Sequence, residues 1–129
     1  MRARAAAPST LSLLGLIRHM AGVERWWFQR RFAEDDVPPL YSTDADPDAD
    51  FNDVDTAGVE EALRTWRAEC DRARAVIEGR GLDDTGREEN GEPVSLRWIL
   101  VHMIEEYSRH NGHADLLRER IDGEVGYLP

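Results

Sequence analysis

From Ser95 to Gly123 the chain holds one unbroken helical pattern, and this segment constrains the fold more than any other. Pro93 and Ser95 supply an entry and an N-cap, "LRWILVHMIEEYSRHNGHADLLRERI" follows, and Gly123 supplies the stop. Apolar residues recur at Leu96, Ile99, Leu100, Met103, Tyr107, Ala114, Leu117 and Ile121, the spacing of one helix face. So long an amphipathic helix must bury its stripe against other elements, and the rest of the chain offers two more helices for this. Leu13, Ile17, Met20, Trp27 and Phe28 mark a helix starting near Ser9 or Thr10. Val59, Leu63, Trp66, Cys70, Ala73 and Ile77 mark another, from Asp55 or Thr56 to the glycines at 79 and 81. No segment shows the strict alternation of a strand. The expectation is an all-α single domain over 1–129, with helices at about 10–32, 56–78 and 95–121 and an acidic crossover at 33–55. A connection of that length allows the first two helices to run parallel, and the shorter Gly-rich link suits an antiparallel third.

Charge narrows the partners. Sixteen basic residues, all arginine, face 26 acidic ones for a formal net charge of −10, which disfavours a nucleic acid backbone. No stretch approaches the ~20 apolar residues of a membrane span. "MRARAAAPSTLSLLGLIRH" has the basic start of a leader, but Pro8, Ser9 and Thr10 break its apolar run and no cleavage pattern follows. With Cys70 as the single cysteine, the chain is expected to be cytoplasmic. Asp44, Asp46, Asp48 and Asp55 occupy calcium-loop positions, but Pro47, Ala49 and the Asp at the last position depart from the pattern, so a solvated loop is expected.

On the helical wheel of the last segment, with His102 at 0°, the apolar stripe covers about 60° to 160°, Glu106 falls at about 40° and His110 at about 80°. A carboxylate against an apolar core is costly unless paired or bound to a metal, and i, i+4 spacing puts both side chains on one face. His102 and His113 lie at the margin of the stripe, placed to orient a ligand or to touch a substrate. His19, on the first helix beside Leu16, Val23 and Trp26, offers a third metal ligand. Two histidines and a carboxylate with open positions suit catalytic zinc or non-haem iron. Periodicity alone does not separate this from hydrogen-bonded edge histidines and a surface ion pair of Glu106 with Arg109 or Arg97. Glu24 is expected to be buried beside an arginine, Cys70 to pack, and the four tryptophans to belong to the core.

"LLGLIRHMAGVERWWF" and "VSLRWILVHMIEEYSRHNGHADLLRERIDG" together resemble the DinB/YfiT-like superfamily, and within it the group sometimes called mini-circle proteins. The resemblance covers residues 9 to 126. It implies an up-down-down-up four-helix bundle that binds a divalent metal, zinc first and nickel, iron or manganese as alternatives, through His19, Glu106 and His110. It also implies a metal-dependent transferase or isomerase using a small thiol such as mycothiol, with His102, His113 and Arg109 as candidates for cofactor contact. Glu106 stands where His is commoner, and His113 where many members have Gln. The family pattern begins with a further helix where this sequence has only "MRARAAAPST", so the bundle is expected to lack its first helix and to expose an apolar groove, covered by a partner subunit, a swapped element or a rearranged N-terminus, unless the start lies further upstream. A homodimer is therefore expected. A non-catalytic metal or small-molecule binder and a helical interaction module remain the alternatives.

Overall fold

The structure, a computed structural model, describes residues 1–126. Its order is α1 (Leu13–Glu24), continued without a break by a π-helical stretch (Arg25–Phe32), then α2 (Ala49–Asn52), α3 (Val59–Ile77), strands β1 (Thr85–Arg87) and β2 (Pro93–Ser95), and α4 (Leu96–Asp122). The class is all-α, as expected. The hairpin was not foreseen, because three-residue strands are too short to show a period of two. It pairs Thr85 with Ser95, Gly86 with Val94 and Arg87 with Pro93 in antiparallel register.

The ends of the helices follow local chemistry. Ser12, not Ser9 or Thr10, caps α1 by accepting from the Gly15 amide at 3.0 Å. Ser95 caps α4 by accepting from the Trp98 amide at 3.2 Å, and Gly123, at φ +80°, ends it. Arg25 to Phe32 departs from α geometry into wider i→i+5 turns, a form uncommon at this length.

Residue contacts give the helix directions. Leu14 packs with Ala62, Arg25 pairs with Glu69, and Phe28 and Phe32 pack with Ala73, so α1 and α3 run parallel. His19 faces His110 while Trp27 meets His102, so α4 runs antiparallel to α1. The core forms where Met20, Phe28 and Phe32 meet Ala73, Val94, Leu96, Ile99 and Met103. The hairpin joins this core through Val94, and Gly86 lets it do so: a Cβ there would collide with the backbone of Arg31 and Phe32.

The stripe expected on α3 is only partly covered, with Ala73 buried and Trp66 and Ile77 packed half-buried against the core. Ala62, Glu69 and Ala73 are the buried residues, whereas Leu63, Trp66, Cys70 and Ile77 are half-buried. Three of these four, with Leu100, Met103, Ile104 and Tyr107 of α4, line an open groove of about 750 Å³ between α3 and α4. Leu63 lies in a smaller cleft of about 270 Å³ with Leu13, Ile17 and Met1. The N-terminal segment is anchored beside that end: the Leu14 amide donates to the Met1 carbonyl, and Arg2 donates to the Val54 and Ala57 carbonyls.

Candidate metal centre

The capped start of α4 sets the phase that aligns His102, Glu106 and His110 one turn apart. Glu106 is only 9% exposed, and its Oε2 lies 3.3 Å from His110 Nε2. From the antiparallel α1, His19 brings its ring within 4.7 Å of the His110 ring, nearly edge-on. One ligand atom from each of His19, Glu106 and His110 falls within 4.8 Å of the others. Donors sharing a tetrahedral ion at zinc distances stand about 3.4 Å apart. The Glu106–His110 pair already has that separation, and the widest gap in the set exceeds it by at most about 1.4 Å.

Sequence reasoning missed Asp50, a decisive member. His19 Nδ1 is 2.8 Å from Asp50 Oδ2, which fixes the tautomer and leaves Nε2 with the lone pair that a metal needs. The acidic crossover is therefore not merely solvated: Ala49 and Val54 are buried, and α2 is docked on α1. Arg18 holds it there, donating to the Asp50 carbonyl from Nε and to the Ala49 carbonyl from Nη2, both at 2.9 Å. Gly15 makes room, because a Cβ at that position would lie 2.8 Å from Phe51 Cδ1. Nothing local distinguishes Asp50 from the other acids of its loop, so only the tertiary contact could identify it.

The other candidates surround the cluster. His113 Nδ1 is 3.2 Å from His110 Nδ1, so one ring donates to the other, and His110 Nε2 remains toward Glu106. Burial, then the neighbouring His19, push His110 below the ordinary histidine value, favouring the neutral ligand form. His102 stacks on Trp98 with an interplanar angle of 11° and places Nε2 3.4 Å from Glu106 Oε1. Arg109 Nη1 reaches the same oxygen at 3.5 Å from an exposed position. These three residues flank Glu106 and His110.

Several expectations need correction. The partner of Glu24 is Tyr107, whose hydroxyl donates to Oε1 at 2.7 Å; Trp66 Nε1 in turn donates to that hydroxyl at 2.9 Å. The buried, arginine-paired carboxylate is instead Glu69, which accepts from Arg25, Arg72 and Gln29. The tryptophans belong to the core only in part: Trp27 and Trp66 pack half-buried against it, whereas Trp98 is 46% exposed. Cys70 packs as expected, its thiol raised by burial and by Glu24. Arg97 is exposed and pairs with Asp83, not with Glu106.

Two imidazole nitrogens and one carboxylate oxygen, converging from two helices with their outer atoms already held, form a donor set that suits a divalent cation with open coordination positions. Among the described residues, no helix is long and apolar enough to cross a membrane. A family model described as mycothiol-S-transferase matches residues 1–123. No curated protein and no solved structure gives a significant match.

Proposed function

The chain belongs to the mycothiol-S-transferase family, a DinB/YfiT-like family, and from that premise we propose that it is a divalent-metal-dependent enzyme transferring a small thiol of the mycothiol type to an electrophile. The observation that carries this reading is the convergence of His19, Glu106 and His110. A cation held there, zinc first and nickel, iron or manganese as alternatives, would lower the pKa of a bound thiol and present it as thiolate at neutral pH. Asp50 keeps His19 in the ligating tautomer, His113 lies against His110, and His102 and Arg109 flank Glu106.

Elemental analysis of the native protein is expected to find about one metal per chain, lost in His19→Ala and in Glu106→Ala. Mycothiol offered with a model electrophile should then turn over only with metal present, and His110→Ala should abolish the reaction. Metal-free native protein refutes the reading, and bound metal without turnover leaves a binding protein. We assign the enzyme to the cytoplasm and to a homodimer in which a second copy covers the α3–α4 groove. The apolar groove walls and Ile104, 67% exposed on the rim, support that assembly.

A further inference from the structure

His19 also lines a second space. A cleft of about 200 Å³ opens between α1 with its π-helical continuation and the crossover segment 39–50. Its aromatic lining comes from Trp26, Trp27 and Tyr41. Gly22 lines it too, and a Cβ added there would meet nothing within 4 Å, so the helix surface at this point is bare.

The charges around this cleft are unevenly satisfied. Arg25 is paired with Glu69 and also donates to the Pro38 carbonyl. Arg18 is bound to the carbonyls of α2, and Asp50 is engaged by His19. Arg30 differs: among the described residues it has no ion pair, and its buried Nη1 has no hydrogen-bond partner. Its guanidinium lies 4.7 Å from the centre of the Trp26 ring, with that of Arg31 at 4.2 Å from the same ring. Arg30 lines the cleft, and without an ion pair it makes that end of it positive and leaves it open to an anionic group.

Resting on the thiol-transfer reading above, we propose that this cleft is the acceptor subsite, and that it takes the electrophile as a small, flat, apolar carboxylate. The carboxylate would pair with Arg30, the apolar body would lie against Gly22 and the indoles, and the far end would point toward His19. Size selects this substrate and not the thiol. The cleft has the liquid volume of roughly six or seven water molecules and falls below the ~300 Å³ at which ordinary ligand pockets begin. A sugar-sized thiol does not fit it, whereas a one-ring carboxylate does.

The probe is benzoate, with benzyl alcohol as its neutral counterpart, titrated on metal-stripped and on zinc-loaded protein. Binding is read from the amide and indole N–H shifts of Trp26 and Trp27. Benzoate is expected to shift both residues saturably in both forms, with benzyl alcohol at least tenfold weaker. Arg30→Met should weaken benzoate roughly ten- to hundredfold, the range for losing a hydrogen bond to a charged group. Gly22→Leu should remove binding by filling the cleft, and its spectrum reports that the fold is intact. Benzoate that leaves these signals unmoved, binds only when metal is present, or binds both variants as well as the native chain overturns the subsite. None of those results alters metal content or thiol turnover, so the two readings fail separately.

Discussion

His19 Nδ1 and the Asp50 carboxylate meet at 2.8 Å, joining the first long helix to a crossover loop that otherwise looks like solvated acid. The contact places a carboxylate against a histidine whose ring also meets His110, an arrangement that stiffens a metal ligand and raises its basicity. Asp50→Asn is therefore expected to weaken zinc affinity by about 10- to 100-fold while keeping one metal per chain at saturation, as measured by competition with a chromophoric chelator. Unchanged affinity would mean that the contact only docks the loop.

Metal should also stabilise the fold. Zinc at a hundredfold excess over its dissociation constant adds about 2.7 kcal/mol, which for a chain of this size raises the melting temperature by roughly 10 °C. Calorimetry with and without chelator measures this shift, and His110→Ala should show almost none of it.

Glu69, 1% exposed, bridges Arg25, Gln29 and Arg72 and ties α3 to the π-helical stretch. Removing it strands the largely buried Arg25 guanidinium, so Glu69→Ala is expected to cost about 3–5 kcal/mol in denaturant unfolding. Burial pushes this carboxyl up, but its donors and the positive charge of Arg25 and Arg72 outweigh burial and hold it below the usual carboxylate range. A lowered folded-state value contributes stability above the unfolded-state value that is lost as pH falls through the lowered one. The penalty of the substitution should therefore be larger at pH 7 than in strong acid.

Glu24 behaves in the opposite sense. Burial, only partly offset by the Tyr107 hydroxyl and Cys70, pushes its carboxyl above the usual value. Such a group contributes stability that is complete below the unfolded-state value and is lost as pH rises through the folded one. Glu24→Gln keeps an acceptor for Tyr107 and removes the charge, so it should raise the melting temperature at pH 7 and match the native chain near pH 4. A gain that persists undiminished in acid would contradict this account.

The groove between α3 and α4 predicts self-association. Ile104→Glu puts a charge on its exposed rim and is expected to shift the protein from dimer to monomer in light scattering without loss of helical circular dichroism. A native chain that is monomeric at all concentrations, with a cooperative melt, would show that no second copy covers the groove.

The helices were legible because their signals are local. Ser95, Gly123 and the apolar spacing between them determine α4 almost to the residue, and with it the alignment of Glu106 and His110. The length of the crossover allowed, without requiring, the parallel course of α1 and α3. The features that stayed hidden depend on contacts distant in sequence. Asp50 is one acid among many until Arg18 and Gly15 seat its helix on α1. The tryptophans and the α3 stripe have core-like patterns, but burial requires a neighbour, and at the groove the described chain provides none. Hydrophobic spacing also does not signal wide turns, so the π-helical stretch was read as ordinary helix.

Ser95 belongs to two elements at once, as the last rung of the hairpin opposite Thr85 and as the cap of α4. The small sheet therefore acts as an indexing pin for the long helix. A slip of one residue in its ladder would turn everything beyond it by about 100° and carry the carboxylate and imidazole of α4 away from His19. Insertions near the hairpin tip at Asn90 and Gly91 leave that pin seated, whereas a single insertion between Val94 and Leu96 dismantles the cluster from more than two helical turns away.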